Sequence, residues 1–216
     1  MRKLAVNLLF VAAIALAATI VRDAPAADLV MPHDPSALDT TMLVSNACSK
    51  CHGATGISVS PIFPNLAGQQ LSYIESALKL FRERGRSDPH ARAFMWGIAR
   101  GLTDDQIEGV ARYFANQSPV SGTASRNPAL AEKGKSIYEN GVPERGVIAC
   151  MTCHGSNAEG QGDNAFPRLA GQHRDYLVLQ LQYFHGLLRE NAVMQGVAAN
   201  ISDDEIAAVA EYLASK

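Results

Sequence analysis

Cys48-Ser49-Lys50-Cys51-His52-Gly53 and Cys150-Met151-Thr152-Cys153-His154-Gly155 are two copies of one pattern, C-x-x-C-H-G, set 102 residues apart. Further matches surround them. Phe63-Pro64-Asn65-Leu66-Ala67-Gly68-Gln69 returns as Phe166-Pro167-Arg168-Leu169-Ala170-Gly171-Gln172, Tyr73 returns as Tyr176, and Met95 as Met194. Leu102-Thr103-Asp104-Asp105-Gln106-Ile107 returns as Ile201-Ser202-Asp203-Asp204-Glu205-Ile206. Order is kept while the offset drifts from 102 to 103 to 99, so insertions and deletions fall in loops. A period this long, present twice, marks a duplicated domain and not a solenoid. Asn116 to Asn127 is polar and aperiodic, with Pro119 and Gly122, and reads as a linker. The expected division is a first domain at 34–116, a linker at 117–127 and a second domain at 128–216.

C-x-x-C-H is the attachment pattern of c-type haem. Two thiols add across the two vinyl groups of the porphyrin, and two intervening residues set them about one helical turn apart. The adjacent histidine is carried under the ring, where its Nε2 binds iron. Cys48, Cys51, Cys150 and Cys153 would then be consumed as thioethers of two covalently bound haem c groups. The other readings of four cysteines fare worse. Disulfides suit an exported chain with an even count, but not two C-x-x-C pairs each followed by histidine. A thioredoxin-like redox pair needs a βαβ setting that neither copy has. A shared zinc would have to bridge the 99 residues between Cys51 and Cys150, far beyond zinc-ribbon spacing.

A carrier's iron needs a sixth ligand. Met95 lies 43 residues after His52 and Met194 lies 40 after His154, each just before the last helix of its unit. Met151 sits inside the attachment loop and cannot reach the far face of a haem. His90, His173 and His185 compete, but they do not share aligned positions, whereas a duplicated site should duplicate its ligands. The expected iron ligands are therefore His52 with Met95 and His154 with Met194. Pro64 and Pro167 follow their histidines by 12 and 13 residues. Each offers a carbonyl to the histidine Nδ1–H, a bond that orients the ring, or is a simple turn proline. Tyr73 and Tyr176 either touch the haem edge or propionates, or pack.

The N-terminus reads as an export signal: Arg2 and Lys3, an apolar run from Leu4 to Val21, then Ala24-Pro25-Ala26. Cleavage after residue 26 removes three positive charges and one negative one, taking the net charge from −2 to −4. An uncleaved membrane anchor is the alternative, since the run is long for a signal. The expected location is periplasmic. No basic stripe points to nucleic acid.

Each unit reads as helical. Leu71, Ile74, Leu78 and Phe81, and again Leu177, Leu181, Phe184 and Leu188, fall at steps of three and four. Thr103-Asp-Asp-Gln106 and Ser202-Asp-Asp-Glu205 are capping boxes that open the final helices. No segment alternates as a strand does.

These motifs, taken together from about Ser45 to Lys216, resemble class I cytochromes c, and the duplication resembles the bacterial cytochrome c4 family. The resemblance implies an all-α fold of two tandem class I cytochrome c domains, related by an approximate two-fold with the haem propionate edges near each other. It also implies the same His/Met ligand pairs. Two departures stand out. Gly134 and Tyr138 keep the glycine and aromatic usual in the first helix of such domains, but Ser36 to Asn46 has no such pair, so that helix is expected to be short or loosely packed. Gly141 to Gly146 is an insert of the second unit, a docking loop or plain surface. The function expected is electron transfer and not catalysis, since His/Met ligation leaves no position for a substrate. Expected partners are redox proteins: a quinol-oxidising complex or a dehydrogenase as donor and a terminal oxidase as acceptor. A cytochrome subunit of a flavin or other dehydrogenase is the second reading. A two-haem peroxidase is the third, and two matched methionines argue against it.

Overall fold

The computed structural model describes residues 35–161 and 166–216. The export segment read at 1–26, and residue 34 at the expected start of the first domain, lie outside the described residues. In the first half, α1 (Pro35–Leu43) runs through a π-helical turn at Val44–Cys48 into α2 (Ser49–His52). Then come α3 (Leu71–Arg82), a second π-helical turn at Ala91–Met95 that leads into α4 (Trp96–Ala99), and α5 (Asp104–Ala115). The second half has α6 (Pro128–Asn140), a 3-10 turn at Pro143–Arg145, α7 (Met151–His154), α8 (Arg174–His185), α9 (Ala192–Ala198) and α10 (Asp203–Ala214). The described residues hold no strand, only isolated bridges at Val142–Val147 and Gln161–Phe166.

The helices follow from apolar spacing. α3 buries Ile74, Leu78 and Phe81, and α5 buries Ile107, Val110, Ala111 and Phe114 on one face. Thr103 stops the chain before α5 from fraying: its hydroxyl accepts the Gln106 N–H at 3.2 Å and Gln106 Oε1 accepts the Thr103 N–H at 3.0 Å. At α10 the Ser202 N–H and hydroxyl both donate to Glu205, each at 2.9 Å. Arg145 of the insert pairs with the same carboxylate, so that loop is pinned to the start of α10.

First and last helices cross in each half, and a glycine lets them touch. In the second half it is Gly134 of α6, where a Cβ would lie 1.9 Å from the Ala208 carbonyl oxygen of α10. Tyr138, one turn on, is fully buried, lies 5.5 Å from the Tyr212 ring, and donates its hydroxyl to the Gly155 carbonyl at 2.6 Å. In the first half the small residue has moved to the other partner. Gly109 of α5, aligned with Ala208, faces Thr40 of α1, whose Oγ1 would lie 2.2 Å from an added Cβ. α1 does not stop at Leu43 but runs on through the π-helical turn into α2, whereas α6 ends at Asn140.

The halves are clamped by the repeated F-P-x-L-A-G-Q segments. Gln172 Oε1 accepts the Asn65 N–H at 2.8 Å and its Nε2 donates to the Asn65 carbonyl at 3.0 Å. Gln69 does the same to Arg168, at 2.7 and 2.9 Å. Each glutamine thus reads the backbone of the variable residue in the other copy, and the arrangement is two-fold.

Candidate haem pockets

Cys48 lies at the end of the first π-helical turn and Cys51-His52 in α2; Cys150 precedes α7, which carries Cys153-His154. Gly53 and Gly155 end these short helices at φ 76° and 84°, where a side chain is disfavoured. All four cysteines are partly buried. Before attachment, burial pushes the Cys48 and Cys150 thiols up to about 11, against a weaker opposing backbone hydrogen bond.

Both histidines are buried, 7% exposed each. His52 Nδ1 lies 3.0 Å from the Pro64 carbonyl and His154 Nδ1 lies 3.0 Å from the Pro167 carbonyl. A carbonyl only accepts, so each Nδ1 carries the proton and each Nε2 keeps its lone pair. Burial lowers both imidazole pKa values, against the raising effect of that hydrogen bond, which favours the neutral ring a metal requires. Phe63 and Phe166 stand edge-on to the two rings at 6.1 and 6.2 Å.

One apolar cavity of about 580 Å³ runs through both halves and is lined by all four cysteines, both histidines, Met95 and Met194. Of the competing histidines, His173 and His185 are not among the residues that line the cavity; His90 lines it, with its Nδ1 bonded to the Tyr183 hydroxyl at 2.5 Å. Ile62, Phe94 and Ile98 in the first half, and Ile148 and Val193 in the second, line the cavity yet stay 41–57% exposed, forming an apolar rim.

Where the halves meet, the wall turns polar. The Arg86 and Arg189 guanidinium groups both donate to Gln180 Oε1, at 2.8 and 2.7 Å. Arg86 also pairs with buried Asp88 at 2.7 Å, and Arg189 donates to the Tyr73 hydroxyl at 3.0 Å. Burial alone would raise the Tyr73 pKa, but Arg189 and Arg86 outweigh it and hold the phenol below its ordinary value. Arg168 Nε, also in the cavity wall, is buried with no hydrogen-bond partner among the described residues. Three guanidinium groups against the two carboxylates of Asp88 and Glu190 leave positive charge in excess, and porphyrin propionates fit that need.

The cysteines, histidines and methionines expected from the sequence all line one cavity. Sequence reading missed this polar cluster. The signal was partly there, since Arg86 and Arg189 both stand 13 residues after a matched tyrosine. Gln180 has no such mark, because its counterpart is Ala77.

Two helical units, each closing on a C-x-x-C-H segment and a cavity wall rich in apolar side chains, define a two-haem c-type cytochrome. The family model for cytochrome c matches residues 40–118 and again 131–216. Cytochrome c4 of Thiocapsa roseopersicina is 44% identical over 173 residues, covering 78% of this chain and 86% of that protein. A cytochrome c4 structure from Acidithiobacillus ferrooxidans superimposes with a TM-score of 0.73 at 39% identity, over 82% of this chain and 99% of that one. The chain belongs to the cytochrome c4 family, whose members are electron carriers with two covalently bound haem c groups. A thiosulfate dehydrogenase electron acceptor of Thiomonas intermedia is also similar, 33% identical over 176 residues, 79% of this chain and 78% of that protein.

Proposed function

We propose that this chain is an exported carrier that passes single electrons between periplasmic redox proteins. Its domains are 34–116 and 128–216, joined by 117–127. Cys48, Cys51, Cys150 and Cys153 would hold the two haems, and His52 with Met95 and His154 with Met194 would ligate their irons. The observation that carries this reading is the repeated bond from histidine Nδ1 to a proline carbonyl at 3.0 Å, which aims a neutral Nε2 lone pair in both halves. Held by His52 with Met95 and by His154 with Met194, haem iron would supply one-electron exchange between ferrous and ferric states, with methionine favouring the ferrous one. Pro64 and Pro167 fix the imidazole orientation, and apolar walls exclude water. The half-exposed rim of Ile62, Phe94, Ile98, Ile148 and Val193 offers an apolar surface for a redox partner.

Two haems per chain by alkaline pyridine spectrum, and a weak far-red ferric band of which Met95→Ala and Met194→Ala each remove half, are the expected results. Polypeptide that is colourless and of unmodified mass after acid acetone rules the reading out. N-terminal sequencing of the exported protein tests cleavage after residue 26; among the described residues, no helix is long and apolar enough to cross a membrane.

The similarity to a thiosulfate dehydrogenase electron acceptor favours a second reading, in which the donor is a dehydrogenase. Stoichiometric capture of such an enzyme from periplasm by the tagged protein supports it, and reduction only by a quinol-oxidising complex counts against it.

A further inference from the structure

The apolar rim of the first half is bordered by cations. From Cys51 to Ile74 there is no Lys, Arg, Asp or Glu, and from Pro89 to Thr103 there are only Arg92 and Arg100. Those two flank Phe94 and Ile98 in the segment that carries Met95, and both are exposed. Lys50, between the two cysteines of the attachment motif, is exposed as well. Trp96 holds two of the cations in place: the Arg84 and Arg92 guanidinium groups lie 5.4 and 5.8 Å from its ring centre. Arg92 is held further by its Nε–H, which donates to the Ser87 carbonyl at 2.6 Å. Neighbouring carboxylates are committed elsewhere. Glu83 and Asp104 both pair with Arg82, at 3.6 and 2.8 Å, Asp88 pairs with Arg86, and Glu190 accepts the Ser87 hydroxyl at 2.5 Å.

In the second half an uncharged residue replaces each of these cations. Thr152 stands for Lys50, and Leu187 for Arg84, at matching backbone φ of 57° and 59°. Asn191 lies three residues before Met194, as Arg92 does before Met95, and Ala199 lies five after it, as Arg100 does. Gln195 takes the place of Trp96, so the aromatic platform is gone too. Ile148, Leu187, Leu188 and Val193 are exposed there, an apolar face without the cationic border.

The whole chain carries a formal net charge of −2. The cationic border is thus a local feature on an acidic background, and it orients an approaching anionic surface instead of drawing one to the molecule at large. Resting on the electron-carrier reading, we infer that the first-half rim docks a redox protein whose own contact face is apolar at its centre and ringed by carboxylates. Ile62, Phe94 and Ile98 meet the apolar centre, and Lys50, Arg84, Arg92 and Arg100 meet the ring. The second-half rim has no cations to meet such a ring and does not take that partner.

The probe is reduced flavodoxin, a small acidic protein with an exposed apolar flavin edge. One electron passes from its flavin to ferric haem, and stopped-flow absorbance of the full two-haem protein follows the rate. Both proteins are net negative, so without a patch the reaction quickens as salt screens their repulsion. Docking at the first-half rim makes it slow down with salt instead. Arg92→Gln and Arg100→Gln should each lower the low-salt rate constant roughly two- to fivefold, and Ile98→Ser should lower it at every salt concentration. Lys133→Gln makes the same change of charge at an exposed site on α6 and is the control. A rate that rises with salt, arginine variants no slower than Lys133→Gln, or an Ile98→Ser protein as fast as the parent overturns the inference. So does loss of binding to phosphatidylglycerol vesicles in the arginine variants with flavodoxin kinetics unchanged, which assigns the patch to a lipid surface. The ferric far-red band and reduction by ascorbate are measured on the same samples. Their absence in the parent protein faults the carrier reading instead, and their presence in each variant shows haem and fold intact.

Discussion

Replacing Gly134 with alanine tests the helix crossing that builds the second pocket. The new Cβ would sit 1.9 Å from the Ala208 oxygen, 2.4 Å from its carbon and 2.9 Å from the Val209 nitrogen. All three are backbone atoms of α10, so no side chain can turn aside. α6 and α10 must part by roughly 1.5 Å to restore ordinary contact. Overpacking of this kind costs about 1–3 kcal/mol, and this clash belongs at the upper end because the backbone yields least. The better helix propensity of alanine returns about 1 kcal/mol. The net loss is about 2 kcal/mol, or roughly 8–16 °C in the melting temperature of a domain of this size. Gly109→Ala is the internal control. Its Cβ would meet a side-chain tip, Thr40 Oγ1 at 2.2 Å, which can rotate, so the propensity gain offsets most of the cost and the change stays within about 1 kcal/mol. Unfolding of the haem-loaded protein, followed by helix ellipticity and haem absorbance, measures both. A Gly134→Ala protein as stable as the parent, or a Gly109→Ala protein that suffers more, would refute the reasoning.

Gln172→Ala strands the Asn65 N–H and carbonyl in the buried seam between the halves, at about 2–4 kcal/mol. Exchange of the Asn65 amide should then quicken at least roughly 30-fold, and an unchanged exchange rate would mean the clamp is dispensable. The hydrogen bond from Arg145 is the main cause that holds Glu205 down to about 2, well below its ordinary 4.5, with Ser202 adding to it and burial opposing it. A carboxylate lowered on folding adds stability above the unfolded value and loses it as pH falls through the folded one. Glu205→Gln should therefore flatten the decline in melting temperature between pH 4.5 and about 2; parallel curves for parent and variant would count against the pair.

The sequence alone determined whatever is local or repeated. C-x-x-C-H named the haem and its count because the chemistry fits inside five consecutive residues. The matched methionines and prolines stood out because duplication writes each site twice, and helix spacing with Thr103 and Ser202 gave the all-α class. Tertiary structure decided what depends on the two copies meeting. Gln69 and Gln172 look like the tail of a repeated motif until each is seen reading the other half's backbone. The glycine of the first helix crossing was sought in α1 and stands in α5, because either partner of a contact can supply the missing side chain. Arg86 with its neighbour Asp88, and Gln180 with Arg189, come from distant parts of the chain and are unremarkable singly. Only folding brings the two guanidinium groups to one oxygen atom of Gln180, where charge acts over a few ångströms in a poorly screened interior.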